Sequence, residues 1–415
     1  VGTGKLEGSF SIWNLFMELP LGFRFAGVSA AIKKKPNTKD VTLIVGTRPL
    51  VAAGVYTTNQ VVAAPVVLDR GRTPSKSLRA VVVNSGCANA CTGTRGMEDA
   101  VRMTELVSKY VACGEKIEPE QVLVMSTGVI GRFLPMQKIE AGISEAAAQL
   151  REGTDGFLDA ADGIMTTDAF RKVIDRKVEV GGKTFRIAGM AKGAGMIGPN
   201  MATMLACILT DAPLAPEQAQ RLLRRAVDRS FNCISVEGHT STNDTLLLLS
   251  SGAACDVALT AEEEAAFSKE LNDTCIALAI QIPDDGEGAT HLIEVDIQGA
   301  PSDAAAHKIA ATVAASNLVK TAIAGADPNW GRIVSAAGYA GIPIETQVLR
   351  LVVNGHLLFD RGEPTQFDEQ EVSLAIRSNR KTHVQLQVGY GPGDCRYWTS
   401  DLNEAYVRFN SDYTT

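Results

Sequence analysis

At about 150 residues per domain, a 415-residue chain holds two to three domains' worth of core. Hydrophobic residues at 45% and charged residues at 21% make an ordinary globular mixture, which excludes collagen-like repeats, coiled coil and extended disorder. Forty Lys plus Arg against 47 Asp plus Glu leave a net charge of −7, without the basic footprint of a nucleic-acid binder. No apolar run approaches the roughly 18–20 residues that cross a bilayer, so a soluble protein is expected, with reducing cytoplasm as the default compartment.

In chain order, residues 1–18 carry an apolar patch from Phe10 to Phe16 behind one Lys, too weak a pattern for a signal or transit peptide. Strands are expected at 41–45, 80–83, 122–125, 246–249, 292–297 and 348–353 from their length and β-branched content. Residues 178–180 and 184–187 flank Gly181-Gly182, a two-residue hairpin signal. Helices are expected at 97–112, at 135–150 and 216–228 with Pro in the first turn, and as one long alanine-rich helix over 302–323. Thr260-Ala-Glu-Glu263 fits a capping box opening another helix. Strands and helices mixed without strict βαβ alternation indicate an α/β (α+β layered) architecture, with no compositional domain boundary.

The eight cysteines include no C-x-x-C, and the five histidines form no H-E-x-x-H, so neither disulfide staples nor a protein-built zinc site is expected. Lys192-Gly-Ala-Gly-Met-Ile-Gly198 contains G-x-G-x-x-G, but Pro199-Asn200 follow at once and residues 204–209 look like a buried strand where a dinucleotide fingerprint needs a helix. No P-loop is present either. The segment reads better as a tight turn between strands, its glycines admitting another chain or a ligand close to the backbone. Thr203 stands just downstream, at a strand start. A threonine hydroxyl needs a base at hand, and its own α-amine, freed by cleavage of the preceding bond, is one such base, titrating near ~8. By itself a threonine at a strand start is far more often structural.

Met190-Ala-Lys-Gly-Ala-Gly-Met-Ile-Gly-Pro-Asn-Met-Ala-Thr-Met-Leu205 closely resembles the self-cleavage segment of the ornithine acetyltransferases, also called glutamate N-acetyltransferases or arginine biosynthesis bifunctional proteins. The likeness extends to Val83-Asn-Ser-Gly-Cys-Ala-Asn89, Ser126-Thr-Gly-Val-Ile-Gly131, Ile164-Met-Thr-Thr-Asp168, the stretch from Ser230 to Thr245, Asp285-Gly-Glu-Gly-Ala-Thr290 and Ala326-Asp-Pro-Asn-Trp-Gly-Arg332, in family order from about residue 20 onward. The resemblance implies a layered α/β sandwich similar to N-terminal nucleophile hydrolases. It also implies a cut between Ala202 and Thr203, giving an α chain of residues 1–202 and a β chain of residues 203–415 that assemble as α2β2. The implied reaction moves the acetyl group of N2-acetylornithine to glutamate through acetyl-Thr203, without metal or organic cofactor. Some members also take acetyl from acetyl-CoA, and acetyl recycling is the step expected here.

By motif match, Thr127 and Gly128 supply the oxyanion donors, and Thr166, Lys192, Thr203, Glu287, Asn410 and Thr415 hold substrate. Lys192 suits a substrate carboxylate and Glu287 an ammonium. Thr166 is chosen over its neighbour Thr167. Asn243-Asp244 is assigned to turn hydrogen bonds in preference to orienting the new amine. His239 stands where the family usually has Asp, His291 where Lys is usual, and Gly198 where Ala is more common. Residues 1–18 have no recognised family counterpart. The rival activity on the same nucleophile is an N-terminal-threonine amidase or aminopeptidase that passes the acyl group to water.

Overall fold

The computed structural model describes residues 17–112, 114–198 and 204–412. Ala202, Thr203 and Thr415 lie outside the described residues. One sheet contains β1 (Phe23–Val28), β2 (Val41–Tyr56), β3 (Ser75–Cys87), β4 (Val122–Val129), β5 (Lys172–Val180), β6 (Lys183–Lys192), β7 (Leu205–Thr210) and β9 (Thr245–Ser250), in the order β4-β3-β2-β9-β7-β6-β5 with β1 on β2. The second contains β8 (Ile234–Ser235), β10 (Leu292–Ala300), β11 (Arg350–Val353), β12 (His356–Asp360), β13 (Glu363–Pro364), β14 (Lys381–Gln387) and β15 (Gly393–Ser400), in the order β13-β12-β11-β14-β10-β15-β8.

The helices are α1 (Ala64–Arg70), α2 (Gly93–Tyr110), α3 (Met136–Ala148), α4 (Thr154–Ile164), α5 (Pro216–Asp228), α6 (Ala261–Asp284), α7 (Asp303–Ala315), α8 (Asn317–Ala324), α9 (Trp330–Gly338), α10 (Glu369–Arg377) and α11 (Glu404–Asp412). The first sheet is buried on both faces, which is why its central strands read as unbroken apolar runs. Leu247 and Leu249 join Leu205, Cys207 and Leu209 against Phe157 and Ile164 of α4. Leu246 and Leu248 point the other way, into the core shared with Leu222, Leu223 and Leu271 of α5 and α6. At the far end, Leu43, Val45, Val82 and Val124 pack under α2 and α3. Helix α6 lies between the sheets, touching β5 and β6 on one side and β8 and β15 on the other. In the second sheet β14 alternates, with Thr382, Val384 and Leu386 buried and its other residues more open, the mark of a one-sided sheet. These sheets and covering helices are the layered α/β architecture expected from the sequence.

Most predicted elements are present, with shifted ends. The 97–112 helix runs from Gly93 to Tyr110, the 135–150 helix from Met136 to Ala148, and the 216–228 helix has the expected bounds. Gly181 and Gly182 turn the β5–β6 hairpin at φ +58° and +72°, the two positive values that a tight two-residue turn requires. Thr260 caps α6, its hydroxyl accepting from Glu263 N–H at 3.2 Å while Glu263 accepts from Thr260 N–H at 2.9 Å. Two expectations are corrected. The single helix at 302–323 is two, because Ser316 leaves helical geometry at ψ +111° and its hydroxyl caps α8 through Val319 N–H. The strand placed at 348–353 begins only at Arg350, since Val348 still closes a turn through its N–H to Glu345 O.

A buried charge cluster ties three loops together at one end of the first sheet. Lys172 Nζ donates to Asp168 Oδ1 at 2.7 Å and to Asp285 Oδ2 at 2.6 Å, and the Lys172 and Asp168 side chains are fully enclosed. Asp168 also accepts from Gly193 N–H at 2.6 Å and Thr166 N–H at 2.8 Å, and Asp285 accepts from Ala169 N–H at 2.9 Å. Burial alone raises the Asp168 carboxyl, but the Lys172 and Lys192 ammonium groups and the Gly193 N–H reverse this and hold it well below the usual carboxylate range. Burial wins at Asp285, whose pKa is raised. Changing Lys172→Met leaves two facing carboxylates without their cation and is expected to cost about 3–5 kcal/mol in urea unfolding at neutral pH. A loss below about 1 kcal/mol would show that the cluster does not hold the loops.

Candidate active site

The cavity that contains the sequence-predicted residues opens beside this cluster. It is a cleft of about 800 Å³, counting the part open to solvent, and is lined by Thr127, Gly128, Thr166, Lys192, Glu287 and Asn410, with Thr167, Glu237, His239, Asn243 and Tyr406 among its other walls. The six residues come from the end of β4, the segment after α4, the end of β6, the turn after α6, and α11. Thr166 and Thr167 both line the cavity, so the geometry does not separate them. The predicted Ala202, Thr203 and Thr415 fall outside the described residues, but Met204, next after Thr203 in sequence, donates its backbone N–H to Asp244 Oδ1 at 3.0 Å.

Thr127 and Gly128 sit where β4 runs parallel to β3, opposite Ser85 and Gly86. Gly128 has φ +128°, and a Cβ there would lie 2.4–2.7 Å from the Gly86–Cys87 backbone, so only glycine fits. Lys192, buried at the end of β6, places Nζ 3.3 Å from Thr127 Oγ1. Burial lowers its pKa, opposed by Asp168, Asp244 and Glu287 and reinforced by Lys172.

Asn243 makes the expected turn bonds, its backbone N–H donating to Ser241 Oγ at 3.1 Å, and reaches well beyond them. Its Nδ2 donates to Ala88 O at 2.6 Å and Ser126 O at 2.9 Å, reaching across the sheet ends, while its Oδ1 accepts from Thr242 Oγ1 at 2.6 Å. The Ser126 carbonyl lies one residue before Thr127, so Asn243 ties the end of β4 that carries Thr127 to the segment before β9. No local pattern marked this role, because the partners are 117 and 155 residues away.

The glycine-rich segment after β6 is a close-approach turn, as its sequence suggested. A Cβ on Gly195 would strike the Glu287 carboxylate at 2.4–2.5 Å, and one on Gly198 would meet the Gly238–His239 backbone at 2.5–2.9 Å. Glu287 N–H donates to Ala194 O, and Ile197 O accepts from both Val236 N–H and Gly238 N–H, each at 2.9 Å. The C-terminal helix docks at the site. Asn410 Nδ2 donates to Glu287 Oε2 at 3.0 Å, Asn403 Nδ2 donates to Gly288 O at 2.8 Å, and Gly288 lies against the Ala405–Tyr406 backbone.

Of the departures from the family pattern, His239 faces the cavity, whereas His291 is a buried neighbour of Asp401, its Nδ1 3.0 Å from Thr290 Oγ1. Sequence reasoning assigned no role to Glu237, Tyr406 or Lys172. Glu237 stood in a quoted motif, but Lys172 and Tyr406 had no signal beyond their type. Among the described residues no group of His, Cys, Asp and Glu has metal-binding geometry, and no helix is long and apolar enough to cross a membrane.

Residues 24–415 match the model of the ArgJ family. The arginine biosynthesis bifunctional protein ArgJ of Rhodopirellula baltica is 50% identical over 400 residues, covering 96% of each chain. That of Geobacter sulfurreducens is 47% identical over 396 residues, covering 95% of this chain and 99% of its own. A crystal structure of arginine biosynthesis bifunctional protein argJ from Bacillus halodurans aligns with 38% identity and a TM-score of 0.48, over 49% of this chain and 96% of that one. With the family model spanning nearly the whole chain and relatives near half identical from end to end, this chain belongs to the ArgJ family.

Proposed function

We propose that the chain is a self-cleaving acetyltransferase that moves the acetyl group of N2-acetylornithine to glutamate through an acetyl-Thr203 ester. The observation that carries this reading is the convergence of Thr127, Gly128, Thr166, Lys192, Glu287 and Asn410 on one cavity from five separate segments. In the maturation step Thr203 Oγ attacks the Ala202 carbonyl, the amide becomes an ester, and water releases Ala202 as a carboxylate and Thr203 with a free α-amine. That amine is then the base beside its own hydroxyl.

In the first half-reaction Thr203 Oγ bonds to the acetyl carbon and its proton passes to the α-amine. Thr127 and Gly128 are the donors toward the resulting oxyanion. The α-nitrogen of ornithine takes the proton as the C–N bond breaks, leaving the acetyl ester. Glutamate's α-amine then attacks the ester, the acyl C–O bond breaks as a proton returns to Oγ by way of the Thr203 α-amine, and N-acetylglutamate departs. Lys192 is suited to the α-carboxylate that both amino acids carry. Acetyl-CoA, a donor in some relatives by resemblance, would reach the same hydroxyl.

The sheet order supports α (1–202) and β (203–415) chains that stay together after the cut. Strands β7 and β9 of the second part lie between β2 and β6 of the first, so separation would break two ladders in the core. We take the assembly to be α2β2 and the compartment to be the cytoplasm.

Intact mass of the purified protein is expected to give two fragments meeting at Ala202/Thr203, and Thr203→Ala a single chain. A folded wild type that stays uncut would remove the amine and with it the mechanism. With cleavage established, glutamate should accelerate release of ornithine from N-acetylornithine; equal release without glutamate would point to the amidase. Thr127→Ala, losing one oxyanion donor, is expected to lower kcat by roughly 10²–10³ with KM little changed. Asn243→Ala should also lower kcat, by at least about tenfold, by loosening the end of β4 that positions the Thr127 hydroxyl.

A further inference from the structure

The acetyl transfer proposed above needs its oxyanion donor aimed before charge develops, and the inference made here rests on that reading. A threonine hydroxyl has one hydrogen to give and two lone pairs with which to accept, and it rotates to suit its neighbours. A useful oxyanion donor has to be kept from giving its hydrogen elsewhere. Among the described residues the Thr127 hydroxyl is hydrogen-bonded to one group, Lys192 Nζ at 3.3 Å.

Both side chains are nearly enclosed, with 4% of Thr127 and 3% of Lys192 exposed, and both line the cavity. A lysine ammonium carries three N–H donors and no acceptor. The direction of this bond is therefore set: Lys192 donates and Thr127 accepts. The Thr127 hydrogen is left for whatever occupies the cavity.

The contact is a product of the sheet's curvature. In the strand order β3, β2, β9 and β7 all lie between β4, which carries Thr127, and β6, which ends at Lys192. The sheet curls until its two halves face each other, so that Cys207 Sγ of β7 comes within 3.9 Å of Met125 Sδ of β4. Lys192 is held from behind as well. Asp168, the carboxylate kept ionised by the buried cluster, accepts from the N–H of the next residue, Gly193, at 2.6 Å. Burial works against the Lys192 charge, and Asp168 is the first of the groups that oppose its loss.

We propose that Lys192 is a positioning residue of the oxyanion hole, its ammonium donating to Thr127 Oγ1 so that the hydroxyl hydrogen points at the acetyl carbonyl and is strengthened as a donor. A hydroxyl that accepts one hydrogen bond donates the next more strongly, and the gain is larger where water is excluded. One N–H of three is used in this way. The others stay free for the substrate carboxylate, so the two roles of Lys192 are compatible.

They leave different marks on the kinetics. The carboxylate is charged equally in ground state and transition state, so losing its partner raises KM. The oxyanion exists only at the transition state, so losing its donor lowers kcat.

A cycle of variants separates the two. Lys192→Met is expected to lower kcat by at least about tenfold when Thr127 is present, and by less than about threefold in Thr127→Val, which has no hydroxyl to orient. The loss of kcat should persist with N-acetylputrescine as donor, which keeps the ammonium but lacks the carboxylate. Intact mass and thermal unfolding establish that each variant has been cut and is folded.

Equal losses of kcat in both backgrounds would show Lys192 acting independently of Thr127 and overturn the role. A rise in KM with kcat unchanged would overturn it too, by assigning Lys192 to the carboxylate alone. Should Lys192→Met stay uncut, the cycle is run with Lys192→Arg, a donor-only cation of different shape. There kcat retained, or lost only while Thr127 is present, is the expected result, and an equal loss in both backgrounds again overturns the role. Wild-type protein that transfers no acetyl to glutamate would instead sink the reading on which the inference rests.

Discussion

The site depends on a cation buried between two carboxylates. Lys172 begins a strand, Asp168 belongs to the segment before it, and Asp285 opens the turn after α6, more than a hundred residues away. Enclosing three charges costs solvation that only close pairing and additional N–H donors can offset. Asp168 and Asp285 together collect backbone N–H groups from Thr166, Ala169 and Gly193, so the cluster also orients the segments that carry Thr166, Lys192 and Glu287. None of these three side chains and three backbone N–H groups is itself placed in the chemistry. Their effect is to leave the substrate-facing residues little freedom to move, which is the condition under which fixed dipoles stabilise a transition state without reorganising.

Around that anchor, backbone approaches backbone more closely than side chains allow. Gly128 against Gly86 and Gly198 against Gly238 are contacts that a single Cβ would block, while Gly195 makes room for the Glu287 carboxylate. The same crowding accounts for the glycine pattern that superficially matches a dinucleotide fingerprint. In that fingerprint glycines serve a phosphate at a helix N-terminus. Here the strand β7 follows at residue 205, and the glycines serve neighbouring loops of the same chain. Gly198 fits the tight passage of the His239 segment past it.

Legibility in the sequence divides along the reach of each interaction. The β5–β6 hairpin, the capping box at Thr260 and the Pro-initiated α5 were readable because their determinants lie within a few residues. The split at Ser316 was hidden because a run rich in alanine favours helix on both sides of it, and the serine's hydroxyl does not announce which backbone it will cap. Strand β14 of the second sheet was missed because alternation with polar residues on the open face broke up the apolar run. Asn243 was read only in part for a related reason, since its turn bonds are local but its bonds to Ala88 and Ser126 are not.

Sequence by itself determined the chemistry on offer: a threonine after a small residue, a glycine beside a hydroxyl at a strand end, a lysine and a glutamate of opposite charge, and a family pattern that names them together. It also determined the core, because apolar periodicity is a property of the chain alone. Tertiary structure decided which charges face one another. Asn243 became the clamp on Ser126, and Lys172 the centre of a buried cluster, only when distant segments met. The physical reason is that desolvation and hydrogen-bond satisfaction depend on every group that surrounds a side chain, and those neighbours are set by the packing of the two sheets and α6, not by proximity along the chain.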